Sequence, residues 1–195
     1  LIKSKKIKEH LNTLVDIKEE YPHKLFKGTL RPYQNDGLSW LMFLKNNNFG
    51  GILADDMGLG KTIQTLAFLQ RVKQDDHLIS NQPSFLLVAP TSLLYNWVQE
   101  IATFTPDLSV AMHSGPKRAK HEDELPAVDI LITTYGLIRD DIQLFRSILF
   151  ETVVLDESQN IKNHSAKTTQ FIQQLTAKCR IALTGTPIEN TVKDL

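Results

Sequence analysis

The chain has 195 residues, 42% hydrophobic and 23% charged, and its 22 Lys and Arg are balanced by 22 Asp and Glu. That is the make-up of a soluble globular protein of about one domain. No apolar run approaches the ~18 residues of a membrane span, no signal peptide is recognisable, and zero net charge excludes an overall basic field that would draw the chain onto nucleic acid.

Residues 1–27 read as a polar, partly helical lead-in, where Lys3, Lys5, Lys6 and Lys8 suit a solvated face. Residues 30–32 form an extended entry, since Pro32 disfavours helix before it. Leu38, Leu41, Met42 and Leu44 recur at helical spacing and predict a helix over 33–46. Residues 50–54 read as a short strand, and 62–73 as a helix with Leu66, Leu69 and Val72 on one stripe. The polar, Pro-marked stretch 74–84 is a loop. Residues 85–89 are apolar throughout, as in a strand buried on both faces. After Pro90-Thr91-Ser92, the spacing of Leu94, Trp97, Ile101 and Phe104 predicts a helix. Then come a strand at 108–113, a polar loop at 115–126 with Glu122–Glu124 on a solvated face, and a strand at 129–134. Helical segments follow in 136–150, a buried strand at 152–155, a helix over 165–177 and a last strand at 180–183. Ser165 is the expected cap of that helix, with Ile172 and Leu175 facing inward. Strands alternating with helices predict a parallel sheet covered on both faces. The single cysteine, Cys179, permits no internal disulfide and fits a reducing, cytoplasmic compartment. The six His are scattered, none at zinc-ligand spacing, so no structural zinc is expected.

The densest chemistry lies in 51–65, GILADDMGLGKTIQT. An apolar run enters a loop holding Gly58 and Gly60; Lys61, Thr62 and a helix follow. Strand, glycine loop, Lys-Thr, helix is the layout of a nucleotide phosphate cradle. The glycines let backbone N–H groups close around phosphate oxygens, and the helix aims its positive dipole end at the same charge. Lys61 suits the β- and γ-phosphates, and the Thr62 hydroxyl a Mg²⁺ ion. The general pattern asks for glycine at position 55, where this chain has Asp55.

A second apolar strand, Val153-Val154-Leu155, ends in Asp156-Glu157. Neighbours in an extended segment point in opposite directions. One carboxylate therefore suits Mg²⁺ while the other faces an attacking water, the division that phosphoanhydride hydrolysis needs. A third strand, Ile181-Ala182-Leu183, ends in Thr184-Gly185-Thr186-Pro187, whose hydroxyls suit sensing of a γ-phosphate. All three signals follow predicted strands of one sheet, and open α/β sheets bind ligands at that carboxyl edge.

In order, LRPYQ, ILADDMGLGKT, LLVAPTSLLYNW, ITTY, LDESQNIKN and ALTGTPIEN resemble the first RecA-like lobe of a superfamily-two helicase-like ATPase, of the Swi/Snf type. The resemblance covers residues 28–195. It implies a P-loop NTPase fold, ATP and Mg²⁺ as cofactors, and translocation along double-stranded DNA. A strand-separating helicase or a restriction-type translocase is the alternative from the same superfamily. By resemblance, Gln34 recognises adenine with Arg31 and Tyr33 beside it. Asp56, Met57, Gly58, Leu59, Gly60, Lys61 and Thr62 match the phosphate loop. Asp156 matches the Mg²⁺ ligand and Glu157 the general base. Gln159, Thr184, Gly185 and Thr186 match the coupling segments. Pro90, Thr91 and Ser92, with Thr133 and Thr134, match segments that meet the DNA backbone, where hydroxyls and main-chain N–H groups suit sequence-independent contact.

Three departures stand out. Asp55 replaces a glycine, as is common in the Swi/Snf type; Asp56 stands where Glu is usual; and Gln159 stands where His is usual. Gln159 still hydrogen-bonds but cannot become cationic. Glutamine there, followed by Asn-Ile-Lys-Asn, is more similar to bacterial members, which places the protein on nucleoid DNA. The family's second RecA-like lobe supplies arginines to the transferred phosphoryl group. The chain has room for one lobe, so it is expected to bind nucleotide and hydrolyse little by itself.

Overall fold

The computed structural model describes residues 17–75, 78, 82–161 and 167–185. Ser165, expected as a helix cap, and Thr186, expected in the coupling segment, lie outside them.

Six strands form the central sheet: β1 (Gly51–Leu53), β2 (Phe85–Val88), β3 (Val110–Met112), β4 (Ile130–Thr133), β5 (Leu149–Leu155) and β6 (Thr176–Leu183). Their spatial order is β1-β6-β5-β2-β4-β3, and every neighbouring pair is parallel. Parallel neighbours cannot be joined by tight hairpins, so each connection must cross a face of the sheet. Helices α1 (Pro32–Asn46), α2 (Lys61–Asp75) and α3 (Leu94–Phe104) pack on one face, and α4 (Tyr135–Asp140), α5 (Ile142–Arg146) and α6 (Lys167–Gln173) on the other. This is the doubly covered parallel sheet that the alternation of elements predicts. No helix among the described residues is long and apolar enough to cross a membrane.

Each strand serves two cores, because successive side chains point to opposite faces. Val154 joins Leu66, Phe68 and Leu69 of α2 and Trp97 and Ile101 of α3. Its neighbour Val153 joins Ile138, Phe145 and Ile172 on the other side. All of these are at most 4% exposed, and burying one such side chain stabilises the fold by about 1.5–3 kcal/mol.

Two expectations need correction. The helix expected over 165–177 is shorter: α6 ends at Gln173, and Thr176 and Ala177 already belong to β6, which begins four residues before the strand expected at 180–183. Leu149 and Phe150, expected at the end of a helical stretch, open β5. In both places pairing with the neighbouring strand, Leu149 opposite Thr176 and Phe150 opposite Ala177, overrides local pattern. Of the lead-in expected over 1–27, the described part begins at residue 17 and carries no helix up to residue 27. It lies across α1, α2 and α3: Glu20 N–H donates to Ser39 Oγ, Arg71 donates to the Glu20 carboxylate, and Phe26 stacks on Phe104 with centroids 6.0 Å apart.

The register sets the level at which the strands end. Leu53 pairs with Leu183, and Leu155 with Ala182 and Val88. The loops after β1, β5 and β6 therefore emerge side by side, and those after β2 and β4 join the same rim.

Candidate nucleotide-binding site

The loop after β1 is shaped by two glycines. Gly58 and Gly60 have φ of +85° and +87°, a left-handed conformation that glycine adopts without steric cost. They wrap the chain toward the first turn of α2, where Gln64 N–H donates to the Gly60 carbonyl. Lys61 turns back over the loop, its ammonium donating to the carbonyls of Asp55 at 2.6 Å and Asp56 at 3.1 Å. An ammonium has three N–H donors, so among the described residues one is left for a ligand.

The loop also shows what Asp55 does in the glycine's place. Its carboxylate accepts a 2.8 Å hydrogen bond from Gln64 Nε2, and the same amide nitrogen donates to the Gly60 carbonyl. Gln64 is 1% exposed. A buried side chain of α2 thus ties together the two ends of the loop. Helical periodicity gave no reason to single it out.

Arg31, Tyr33 and Gln34 approach from the other side. Arg31 is the N-cap of α1, and its N–H donates to Gln34 Oε1 at 2.9 Å. Gln34 Nε2 and the Tyr33 hydroxyl both donate to the Leu59 carbonyl at 3.0 Å. These residues flank the phosphate loop without lining the cleft described next.

That cleft has a volume of about 490 Å³, within the range of small-molecule sites. Gly58, Gly60, Lys61 and Thr62 form one wall, and Asp156 and Glu157 the floor. The opposite wall is α3 and the turn before it, with Leu93, Asn96, Trp97 and Glu100. None of these four was singled out as a site residue, since an apolar helical stripe does not reveal what its edge touches.

Asp156 lies just beyond β5, buried, with each carboxylate oxygen held: Oδ2 by Trp97 Nε1 at 2.8 Å and Oδ1 by Glu157 N–H at 2.9 Å. Burial pushes its carboxyl above the usual carboxylate range, outweighing the two N–H donors and the Lys61 ammonium, which favour the charged form. Its backbone carbonyl accepts from the Tyr135 hydroxyl at 2.6 Å. Burial beside Asp156 and Glu157 raises that phenol well above its ordinary value. Asp156 and Glu157 do diverge, but not by strand alternation: β5 stops at Leu155, and Glu157 has φ of +49°. The turn re-aims the second carboxylate.

Glu157 continues into a polar relay. Gln159 Nε2 donates to the Glu157 carboxylate, and Gln159 Oε1 accepts from the Thr184 hydroxyl at 2.9 Å. A Cβ placed on Gly185 would lie 3.2 Å from Met57 Cγ, so the loop after β6 sits beside the phosphate loop.

Farther along the rim, Thr91 and Ser92 are exposed in a short 3₁₀ turn, with Pro90 half-buried before it. The two loops meet where Ala89 N–H donates to the Thr133 carbonyl. Thr133 itself departs from expectation. It is fully buried, with its hydroxyl donated to the His113 carbonyl, so its side chain offers nothing to a DNA backbone. Thr134 is half-buried and caps α4 by accepting from Leu137 N–H.

Beside Thr133 lies a second buried carboxylate. Asp141 receives Arg118, Lys120 and His113, the last at 3.0 Å. Burial alone would raise its carboxyl; the three donors together hold it well below the usual carboxylate range. Burial also keeps His113 below its ordinary value despite that partner.

The donor set at the cleft fits Mg²⁺. Thr62 and Asp156 offer a hydroxyl and a carboxylate to one space, and Mg²⁺ is usually bound by one or two protein oxygens together with phosphates and water. Among the described residues no group of three or more His, Cys, Asp or Glu gathers into an all-protein metal cage.

Comparison with known proteins agrees with this geometry. YwqA of Bacillus subtilis, which carries a provisional ATP-dependent helicase/translocase name, is 44% identical over 198 residues, 98% of this chain and 21% of its own length. An uncharacterized ATP-dependent helicase of Mycoplasma pneumoniae is 40% identical over 192 residues, again 98% of this chain and 18% of its own. The chain thus spans about a fifth of the length of these relatives. The Sulfolobus solfataricus SWI2/SNF2 ATPase core, solved in complex with dsDNA, superimposes with a TM-score of 0.80 at 41% identity, over 91% of this chain and 36% of that one. The model of the SNF2-related domain matches residues 33–195. With its RecA-like sheet and its cleft between phosphate loop and paired acids, the chain belongs to the SNF2-related domain family.

Proposed function

We propose that this chain is the first RecA-like, ATP-binding lobe of a DNA-dependent ATPase that translocates on double-stranded DNA. One observation carries the reading: Lys61, Thr62, Asp156 and Glu157, up to 96 positions apart in the sequence, line one cleft. Related proteins named as ATP-dependent helicases, and a related core bound to duplex DNA, support it.

In this reading Lys61 gives its remaining N–H to the β- and γ-phosphates, and the amides around Gly58 and Gly60 cradle them. Gln34, already braced on Leu59, recognises adenine with Arg31 and Tyr33. Thr62 and Asp156 hold Mg²⁺, which when bound neutralises charge on the phosphate oxygens. Glu157 orients the attacking water and accepts its proton. The bond that breaks joins the β-phosphate's bridging oxygen to the γ-phosphorus. The relay Glu157–Gln159–Thr184 joins that base to the loop after β6, and with Gly185 and Thr186 it transmits hydrolysis to movement. The neutral Gln159 amide does this without titrating. Pro90, Thr91, Ser92 and Thr134 form the DNA-facing rim, making contacts that need no net positive charge but weaken steeply with salt.

A second lobe contributes arginines to the γ-phosphate, a device worth ~10³–10⁵ in rate in analogous systems. The test is ATP turnover, with and without duplex DNA, by this chain and by a protein that also carries the second lobe. The chain alone should bind nucleotide, lose it on Lys61→Ala, and turn over slowly. The two-lobe protein should be stimulated by duplex and should displace a third strand without separating the duplex. Brisk duplex-stimulated turnover by the chain alone, or nucleotide binding indifferent to Lys61→Ala, overturns the reading.

A further inference from the structure

We propose that Trp97 is the positioning residue that holds the Asp156 carboxylate in the orientation that receives Mg²⁺, fastening that carboxylate to α3. The proposal rests on the reading of Asp156 as the metal-binding acid.

Trp97 is 3% exposed. Its ring packs with Leu94 and Ile101 of the same helix in the core beneath α2 and α3, while its edge reaches the cleft. A Phe would fill that apolar space; the indole adds one N–H, which buried Trp normally places on a partner. Here the partner is a carboxylate oxygen, Asp156 Oδ2, at 2.8 Å. Glu157 N–H takes the other oxygen. Each carboxylate oxygen is thereby pinned by one rigid donor and keeps lone-pair capacity for a cation or its water shell.

The chemistry of the donor matters. An indole N–H carries no charge and cannot accept. It orients the carboxylate without neutralising it, whereas a lysine or arginine at that place would form an ion pair and repel the metal. The bond also has a mechanical side. Helix α3 starts directly from the 91–93 turn on the proposed DNA-facing rim. Trp97 therefore joins that rim to the metal-binding acid across 59 positions of sequence.

The experiment measures affinity, not turnover. A fluorescent ATP analogue is titrated into the 195-residue chain with and without Mg²⁺, and the gain from Mg²⁺ is compared between variants. Trp97→Phe should reduce that gain by about tenfold, as loss of an outer-shell partner does at metal sites, with Mg²⁺-free affinity within about twofold of wild type. Trp97→His packs worse than Phe but restores a ring N–H, so it should recover part of the gain. A wild-type gain in Trp97→Phe, or a smaller gain in Trp97→His than in Trp97→Phe, overturns the proposal.

A measurement on intact Trp97 guards against misfolded variants. The chain has two tryptophans, so Trp40→Phe leaves Trp97 as the reporter. Its emission should change on adding Mg²⁺ to the nucleotide complex, and the change should vanish with Asp156→Asn; an unresponsive emission overturns the proposal. Asp156→Asn in the titration separates the two failures. A full Mg²⁺ gain in that variant refutes Asp156 as the metal-binding acid. A lost gain there, with an intact gain in Trp97→Phe, refutes the role of Trp97 alone.

Discussion

Two buried aspartates stand on the same edge of the sheet and have opposite surroundings. Asp141 is met by Arg118, Lys120 and His113, which hold its carboxyl well below the usual range. Asp156 is met by a neutral indole and a backbone N–H, and burial pushes its carboxyl up. Asp141 brings its own cations; among the described residues Asp156 has only Lys61 nearby, and that ammonium is engaged with the Asp55 and Asp56 carbonyls. A buried charge without a counter-ion is costly unless something binds it. Asp141 reads as a fastener between the 113–121 loop and the start of α5. Under the proposed function, Asp156 is a place kept for a cation that comes and goes with nucleotide.

The contrast breaks most sharply at Asp156. Asp156→Asn should lower duplex-stimulated turnover of a two-lobe protein by about 10³-fold, the scale of losing metal stabilisation of the transition state. The same change should leave the nucleotide-free chain slightly more stable, with a Tm higher by roughly 2 °C in a thermal melt. A group whose folded pKa is raised opposes folding when charged, and neutralising it relieves that cost. A lower Tm would mean that Asp156 is a structural anchor like Asp141.

Asp141→Asn should do the reverse. It strands Arg118 and Lys120 beside a neutral amide and should cost about 2–4 kcal/mol in denaturant unfolding at neutral pH, toward the low end because Lys120 can swing into water. Mg-nucleotide affinity should stay within about twofold. Because the folded Asp141 value is depressed, its contribution is full above the unfolded carboxylate value of ~4 and fades as pH falls from there toward the folded value. The stability gap between wild type and variant should therefore narrow below about pH 4, and a pH-independent gap would count against the ion cluster.

The smallest effect sharpens the comparison at the phosphate loop, where Asp55 has a neutral partner as Asp156 does. Asp55→Gly restores the general phosphate-loop pattern yet removes the acceptor of Gln64. It should weaken Mg-nucleotide binding by about fivefold, the worth of one internal hydrogen bond of ~1 kcal/mol. Asp55→Asn, whose amide oxygen can still accept from Gln64, should stay close to wild type. Tighter binding in Asp55→Gly would show that the Asp55–Gln64 bond does not brace the loop.

The chain order of apolar strands and amphipathic helices was enough to read a parallel sheet covered on both faces, and the loops after β1, β5 and β6 announced themselves by residue type. Those features are local: a glycine needed at positive φ, a lysine before a helix, two acids after an apolar run. Element ends were less legible. Thr176 and Ala177 continue a helical pattern, and only the facing edge of β5 makes them strand. That the Thr133 side chain is buried was not legible either, because a strand's last residue looks alike in sequence whether its side chain meets solvent or a neighbour's carbonyl.

Sequence alone therefore determined which polar groups one sheet edge would gather. Tertiary structure decided how they are held. Gln64 on Asp55, Trp97 on Asp156, Gln159 between Glu157 and Thr184, and the cations around Asp141 are partnerships between elements distant or differently oriented in the chain. Side-chain hydrogen bonds depend on distance and angle to within a few tenths of an ångström. That precision exists only once the strand register and the helix packing have set the backbone in place.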